Sequence, residues 1–322
     1  MNARVKKPLT LGVDLGGTKV ETALVDSQGN IVSFHRHPTH PEKGADRIIE
    51  DISICIDQCL SKGGEDAQAL GIGIAAQVDK SGVVLSSPNL GWKDFPLREK
   101  LEERLKLPVV VTNDVRAAAM GEWRFGAGKG IDDLVVVFVG TGIGGGVISG
   151  GHLLHGCSNT AGELGHTTLI VDGRKCHCPN RGCLEAYAGG WAIAERAREA
   201  VQAKPKAGEK LVSLAGSVET ITAAVVSQAY HDEDPLALQL FMETAHYLSS
   251  GLVSIVNAFN PCLFILGGGV IEGLPELIRI VDEEVRRRAL RTNVDNLSIV
   301  KAALGKESGI MGAAALAQEI TK

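Results

Sequence analysis

Residues 12–25 read GVDLGGTKVETALV, and residues 137–150 read VFVGTGIGGGVISG. In each stretch, apolar positions alternate on both sides of a glycine-rich turn, which predicts two strands joined as a hairpin. Two copies of one hairpin indicate two related halves. Because strands alternate with helices along the rest of the chain, we expect two α/β domains that face each other and are joined by a hinge.

Hydrophobic periodicity predicts the remaining elements. Helices are expected at 45–61, 96–107, from 115, at 184–204, 217–229, 234–259 and 273–291, and from 308 to the end. Buried strands are expected at 70–78, 108–114, 262–270 and 296–304. Residues 204–217, KPKAGEKLVSLAGS, are expected to form a polar loop.

The composition is that of a soluble globular protein with one large or two medium domains. Of the 322 residues, 44% are hydrophobic and 22% are charged. The formal net charge is −5 and no basic tract is present, which argues against nucleic-acid binding. The N-terminal residues lack the apolar core of a signal peptide, and no apolar run reaches the roughly 18 residues that a membrane helix requires. We expect a cytoplasmic protein without a nucleic-acid or membrane partner.

The seven cysteines fall into two classes. Cys55 and Cys59 lie on the apolar face of the predicted helix 45–61, so we expect them in the core, and we assign Cys157 and Cys262 to the core as well. In a reducing compartment a disulfide framework is not expected, and clustered cysteines favour a metal.

The cluster lies in residues 162–190, GELGHTTLIVDGRKCHCPNRGCLEAYAGG. One imidazole and three thiolates make a closed tetrahedral zinc site without an open position for water, which indicates a structural ion; the ligands are His166, Cys176, Cys178 and Cys183. His177 is the competing imidazole, but its place between two cysteine ligands is sterically poor for one metal.

Two glutamates flank the metal ligands. Glu163 precedes His166 by three residues and Glu185 follows Cys183 by two, so the metal fixes both carboxylates, which could then accept hydrogen bonds from a polyol. The alternative is that both are surface glutamates and that Glu185 caps the following helix.

Three glycine-rich turns suit a nucleotide. In the first, residues 14–19, backbone N–H groups at Gly16-Gly17 can approach a phosphate, Thr18 adds a hydroxyl, and Asp14 could hold Mg²⁺ through water. The second, residues 140–146, contains GxGxxG, but it leads into a strand instead of a helix, which excludes a Rossmann dinucleotide site. The third, residues 267–269, suits a nucleoside. Any glycine pair can also serve as a plain hairpin turn.

Asn113 and Asp114 follow the buried strand PVVVT. Asp114 could be a general base that takes a proton from a substrate hydroxyl, which is the one carboxylate a phosphoryl transferase needs. The alternative is that it caps the helix that follows.

These motifs together resemble the ROK family (repressors, open reading frames and kinases) of the sugar-kinase, Hsp70 and actin superfamily. The resemblance covers nearly the whole chain and rests on DLGGTK (14–19), SSPNLGW (86–92), VTNDVRAAAMGE (111–122), VGTGIGGGVISGG (139–151), GELGH with CHCPNRGCLE (162–185) and LFILGGGV (263–270). Two positions depart from the family pattern, because Ala75-Ala76 replaces a common Pro-Gly and Pro179 follows Cys178 where glycine is usual.

The resemblance implies an architecture and a set of roles. The fold would be two actin-like (ribonuclease H-like) α/β domains with an interdomain cleft that closes on sugar. The first domain would comprise 1–114 plus 304–322 and the second 115–303 with the zinc loop. Asp114 would activate the sugar 6-hydroxyl, and the residues that bind sugar hydroxyls would be Asn89, Asn113, Asp114, Glu163, His166 and Glu185. The residues around MgATP would be Asp14, Gly16, Gly17, Thr18, Lys19, Thr141 and Gly142, with Gly268 and Gly269 on the adenosine side.

The implied activity is ATP-dependent phosphorylation of a hexose, glucose first, with Mg²⁺ and a structural Zn²⁺, by a homodimer formed through the second domain. N-acetylmannosamine, N-acetylglucosamine and fructose kinases share these motifs, and polyphosphate is an alternative donor. From another class, a sugar-responsive regulator of the same family is disfavoured, because the first phosphate strand begins near residue 9 and leaves no room for a helix-turn-helix domain. An actin-like chaperone or filament does not explain the zinc site.

Overall fold

The computed structural model describes residues 8–63 and 66–321. The chain forms two compact units, the first running to Gly130, with His152–Gly162 and the segment from Ala303, and the second comprising Ile131–Gly151 and Glu163–Ala302. The outer ends of the domain ranges expected from the sequence, residues 1–7 and 322, lie outside the described residues.

The strands and helices follow one another in α/β order. The strands are β1 (Leu9–Leu15), β2 (Lys19–Asp26), β3 (Ile31–Pro38), β4 (Leu70–Ile74), β5 (Gln77–Val78), β6 (Val84–Ser87), β7 (Trp92–Phe95), β8 (Val109–Asn113), β9 (Leu134–Val139), β10 (Ile143–Ser149), β11 (His152–Leu153), β12 (Leu263–Gly267) and β13 (Ser298–Lys301). The helices are α1 (Ala45–Gly63), α2 (Leu97–Leu105), α3 (Asp114–Arg124), α4 (Glu185–Ala188), α5 (Gly190–Ala203), α6 (Glu209–Ala215), α7 (Ala223–His231), α8 (Pro235–Phe259), α9 (Gly269–Gly273), α10 (Glu276–Arg288), α11 (Arg291–Val294) and α12 (Ser308–Glu319).

The main sheets of the two units repeat one topology. In the first unit the strands lie in the order β3-β2-β1-β4-β8, and in the second the order β10-β9-β12-β13 repeats it from the second strand onward. In each sheet a glycine-turn hairpin is antiparallel, β1 with β2 and β9 with β10. The pairs β1–β4 and β4–β8 in the first sheet and β9–β12 and β12–β13 in the second are parallel. The duplicated hairpin expected from the sequence is therefore present, and it places each glycine turn at the carboxyl end of a parallel strand.

Each unit has its own apolar core. In the first, the apolar face of α1 packs against β2 and β3, and Cys55 and Cys59 on that face are fully buried as expected. In the second, the sheet packs against the long helix α8 and its neighbours α7 and α10. Among the described residues, no helix combines the length and the apolar character needed to cross a bilayer.

Three details differ from the sequence expectations. Cys157 and Cys262 are exposed, so their assignment to the core is wrong. Part of the expected polar loop 204–217 forms helix α6, because Leu211 supplies a fully buried side chain to the core of the second unit. Helix α3 groups with the first unit although the expected boundary was residue 114, since α3 packs extensively on α12.

Candidate active site

Two carboxylates lie at the carboxyl ends of parallel strands in the first unit. Asp14 is near the end of β1, and Asp114 directly follows β8. Strand β4 lies between those strands and has Gly73 at this level, where a Cβ atom would lie 3.1 Å from Ala117 Cβ and 3.4 Å from Asp114 Cα. Because ligands of open α/β sheets bind beyond the carboxyl ends of the strands, this edge is the expected place for chemistry.

Burial raises the pKa of both carboxylates. Burial, followed by the charges of Asp114 and Glu21, raises the pKa of Asp14 to about 6, and Lys19 acts in the opposite sense. Burial likewise raises the pKa of Asp114, although a hydrogen bond from the Val115 N–H lowers it in part. A perturbed carboxylate pair at a strand edge is typical of a functional site.

Asn113, not Asp114, caps helix α3. The Asn113 Oδ1 accepts hydrogen bonds from the N–H groups of Val115 at 3.0 Å and Arg116 at 3.2 Å, and its Nδ2 donates to the Ala76 carbonyl at 3.3 Å. Asp114 is the first helical residue, where a carboxylate is favoured by the helix dipole. The cap is supplied by its neighbour, so Asp114 need not serve that purpose, whereas the amide of Asn113, expected to bind sugar, is engaged with the backbone.

The first glycine turn joins β1 to β2. It is closed by the Gly16 N–H, which donates to the Lys19 carbonyl at 2.9 Å, and Thr18 is exposed. Lys19, which is expected to contact the phosphates of MgATP, forms an ion pair with Glu21 in this structure, with Nζ 2.8 Å from Oε2. The exposed Asn89 lies beside the turn, since a Cβ on Gly17 would be 3.6 Å from Asn89 Cβ.

The second glycine turn joins β9 to β10 in the second unit. It is closed by the Gly140 N–H, which donates to the Gly142 carbonyl at 2.9 Å. The buried carboxylate of Glu185 lies against it, with Oε2 accepting from the Ile143 N–H at 2.8 Å. Gly142 is required here, because a Cβ atom would lie only 2.3 Å from Glu185 Oε2. Glu185 is therefore neither a surface glutamate nor a helix cap.

A cavity of about 660 Å³ opens beside this turn, formed by residues of the second unit. Its lining includes Thr141 of the turn and Gly269 after β12, both expected to contact ATP, together with Trp191 and Arg198. Gly268, the other residue expected on the adenosine side, precedes α9 with a φ of +92°, a conformation that favours glycine. The volume and the mostly apolar wall with a few polar groups are typical of a small-molecule site.

The four expected metal ligands come together. Within the described residues, one group of histidine, cysteine and carboxylate side chains could hold a metal ion; its ligand atoms lie within 4.8 Å of one another and belong to His166, Cys176, Cys178 and Cys183. His166 Nδ1 lies 3.7 Å from Cys176 Sγ, and Cys178 Sγ lies 3.6 Å from Cys183 Sγ. Burial and the neighbouring thiols raise the pKa of Cys183, a cost that a bound cation would reverse. The donor set and spacing fit Zn²⁺.

Two other side chains of this loop are placed differently from the ligands. His177 is exposed and stacks on the Trp191 ring, with centroids 4.1 Å apart and planes at 25°, so it is outside the ligand group. Glu163 is exposed, and its carbonyl accepts from the His166 N–H at 3.1 Å.

Trp191 is the functional candidate that sequence reasoning missed. Its Nε1 donates to Glu185 Oε1 at 3.2 Å and its backbone N–H donates to the Thr141 carbonyl at 2.9 Å. The signal available in the sequence was the Gly-Gly pair just before it: Gly190 also approaches the turn, with its N–H 2.9 Å from the Gly140 carbonyl.

Known proteins resemble this chain over nearly its whole length. A sequence model of the ROK family matches residues 10–320. The glucokinase of Streptomyces coelicolor is 37% identical over 97% of this chain and 98% of its own length. The crystal structure of a ROK family glucokinase from Streptomyces griseus in complex with glucose and AMPPNP has a TM-score of 0.81 at 39% identity and covers 97% of this chain and 99% of that one.

The family also includes regulators. The xylose repressor of Bacillus spizizenii is 31% identical over 98% of this chain, and the match covers 78% of the repressor. Because the family model spans almost the full length and the relatives match over it, this chain belongs to the ROK family.

Proposed function

We propose that this protein is an ATP-dependent hexose kinase that phosphorylates the 6-hydroxyl of glucose. The observation that carries the proposal is Asp114, a half-buried carboxylate of raised pKa at the carboxyl end of β8 whose neighbour supplies the helix cap. The near-full-length similarity to glucokinases supports the choice of glucose.

Asp114 would act as the general base. Deprotonated, it would accept the proton of the attacking hydroxyl as that oxygen bonds to the γ-phosphorus. The bond from the γ-phosphorus to the β–γ bridging oxygen would break, and ADP would leave. Burial helps, because a carboxylate whose pKa lies closer to the working pH accepts a proton more readily than an ordinary one. The rest of phosphoryl transfer is positioning and charge neutralisation.

The remaining expected residues divide by unit. In the first, Asn89 and Asn113 are proposed to contact the sugar, and the Gly16-Gly17 turn the phosphates. In the second, Glu163, His166 and Glu185 are proposed for the sugar side. The Thr141-Gly142 turn and Gly268-Gly269 are proposed for the nucleotide, which the cavity beside Trp191 has the volume to accept.

Two ions belong to the proposal. Mg²⁺ would neutralise charge on the phosphates, and the ionised Asp14 is the residue of this chain suited to hold it through water. Zn²⁺ would be structural, held by the imidazole and the three thiolates. With Nδ1 of His166 beside the thiols, its Nε2 is the nitrogen proposed to face the sugar. The homodimer and the cytoplasmic location stay predictions.

The test is a coupled ADP-release assay with MgATP and a panel of sugars: glucose, mannose, fructose, N-acetylglucosamine and N-acetylmannosamine. We expect glucose to give the highest kcat/KM. Higher turnover of an amino sugar or of fructose would change the substrate while keeping the reaction class. No turnover of any sugar by folded, zinc-loaded protein, followed by turnover with polyphosphate, would change the donor.

The similarity to the xylose repressor motivates a second candidate, a sugar-responsive regulator. A gel shift with promoter DNA, with and without sugar, separates the two functions. Sugar-dependent DNA binding without ADP release would overturn the kinase proposal.

A further inference from the structure

The carboxylate of Glu185 makes two bonds that tie it to the nucleotide side of the second unit. Its Oε2 accepts from the Ile143 N–H at 2.8 Å, one residue beyond Gly142, and its Oε1 accepts from Trp191 Nε1 at 3.2 Å. The side chain is 9% exposed. A buried carboxylate that has lost water must keep both acceptors occupied, so these two donors fix where it lies.

Trp191 contacts both the glycine turn and the cavity. Trp191 is one of the residues that line the cavity of about 660 Å³. Its backbone N–H donates to the Thr141 carbonyl at 2.9 Å, and the Gly190 N–H donates to the Gly140 carbonyl at the same distance. The start of α5 and the second glycine turn are therefore hydrogen-bonded to each other through backbone and side chain.

The metal loop reaches Trp191 through His177. The imidazole stacks on the indole, with centroids 4.1 Å apart. His177 lies between the expected ligands Cys176 and Cys178, so an ion that fixes the two thiols also fixes the imidazole between them. On the other side, Cys183 precedes Glu185 by two residues. The loop thus contacts the turn by two routes, the His177–Trp191 stack and the short link from Cys183 to Glu185.

We propose that Trp191 and Glu185 are positioning residues that make the nucleotide-phosphate turn at Thr141-Gly142 depend on the metal loop, so that Zn²⁺ binding preorganises the nucleotide site. The proposal rests on the proposed function, and it gives His177 a role in this coupling that is separate from metal ligation. Because coupling is reciprocal, nucleotide also strengthens the hold of the loop on its metal.

The first experiment measures MgADP binding by titration calorimetry in the absence of sugar. Trp191→Phe keeps an aromatic ring for His177 but removes the N–H that Glu185 accepts, and we expect it to raise the Kd for MgADP by about 10-fold, the equivalent of one hydrogen bond to a charged group. Zinc content stays as in the wild type. Trp123→Phe, in the first unit, is the matched control and leaves the MgADP Kd unchanged.

The second experiment uses the metal as the variable. Chelating zinc from the wild-type protein is expected to weaken MgADP binding several-fold. His177→Ala is expected to hold one zinc per chain before chelation and to lose less MgADP affinity when the zinc is removed. His246→Ala, an exposed histidine that contacts Tyr247 in the same unit, is the control. An equal loss of MgADP affinity on chelation in His177→Ala and in the wild type would show that the His177–Trp191 stack does not carry the coupling.

The outcomes separate the two proposals. An unchanged MgADP Kd in folded, zinc-loaded Trp191→Phe overturns the inference and leaves the kinase proposal intact. If wild-type protein binds neither MgADP nor MgATP, the proposed function fails first. Should chelation unfold the protein, the MgADP Kd of zinc-loaded His177→Ala decides the inference, because that variant removes the stack between the metal loop and Trp191 while keeping the metal.

Discussion

Asn113 and Asp114 are neighbours in the sequence, yet their side chains make different contacts in the structure. The amide of Asn113 caps α3 and bonds to the backbone of Ala76, and the carboxylate of Asp114 is half-buried at the strand end. The sequence placed both at the right edge but left open whether Asp114 was a general base or the helix cap. That question depends on which side chain turns back toward the helix N–H groups, and a pattern of residue types does not contain this rotamer choice.

Asp14 is a residue whose charge costs stability. Its pKa in the folded protein is about 6, above its usual value near 4, so the folded state holds the proton more tightly than the unfolded state. Stability is therefore lost as pH rises from about 4 through 6. We expect Asp14→Asn to raise the free energy of unfolding at pH 7.5 by about 1–3 kcal/mol while abolishing phosphorylation.

Urea unfolding in magnesium-free buffer tests this at pH 5.0 and pH 7.5. The gain from Asp14→Asn is expected to be smaller at pH 5.0, where much of the wild-type Asp14 is already neutral. An equal gain at both values, or a destabilised variant, would show that burial does not perturb this carboxylate.

At the scale of elements, the metal loop was the most predictable part of the site. The residue types and their spacing named the four ligands, and the structure brings the same four together. The stack of His177 on Trp191 could not be foreseen in the same way, because the two rings belong to elements whose relation depends on how the whole loop folds onto α5.

Removing one ligand tests the loop. Cys178→Ser keeps the side-chain size at a half-buried position but loses a thiolate, so we expect zinc content to fall well below one per chain and Tm to drop by several degrees. Cys157→Ser changes an exposed thiol outside the ligand group and serves as the control. Elemental analysis and thermal unfolding are the readouts; full zinc content in Cys178→Ser would remove it from the ligand set.

Helices α3 and α12 approach each other through glycine. A Cβ on Gly312 would lie 1.6 Å from the Ala117 carbonyl oxygen, whereas a Cβ on Gly309, on the same helix, has nothing closer than 3.7 Å. We expect Gly312→Ala to lower the free energy of unfolding by about 2–3 kcal/mol. Gly309→Ala should instead be neutral or stabilising by up to about 1 kcal/mol, because alanine favours a helix. Similar unfolding curves for the two variants would contradict the close approach.

Glu122 joins two segments of the first unit, one that follows α3 and one that begins at Ala303. Its fully buried carboxylate accepts from the N–H groups of Ala127 at 3.0 Å, Ala303 at 3.0 Å and Leu304 at 2.8 Å. Glu122→Gln replaces one acceptor with a donor, so at least one buried N–H loses its partner. We expect a loss of about 1–3 kcal/mol, measured by urea unfolding. Glu99→Gln, exposed on α2, is the control, and equal stability of the two variants would count against this role.

For the whole molecule, the duplicated hairpin was enough to predict the repeated sheet topology, because glycine turns and strand alternation are local features. The prediction of a polar loop at 204–217 was wrong, because this segment is polar on average and forms α6 only through the contact of Leu211 with the core. The partner of Glu185 could not be read from the sequence either, as Ile143 lies 42 residues away. Long-range hydrogen bonds of this kind arise only once the elements have assembled.

The central claim is that Asp114 is the base of an ATP-dependent hexose kinase. The most direct test is the rate of ADP release with MgATP and glucose, for the wild type and for Asp114→Asn. Asp57→Asn, an exposed carboxylate on α1, is the control. The account predicts turnover by the wild type and by the control, and a kcat lower by at least about 100-fold in Asp114→Asn with unchanged circular dichroism and MgADP binding. An Asp114→Asn variant that phosphorylates glucose at the wild-type rate would contradict it.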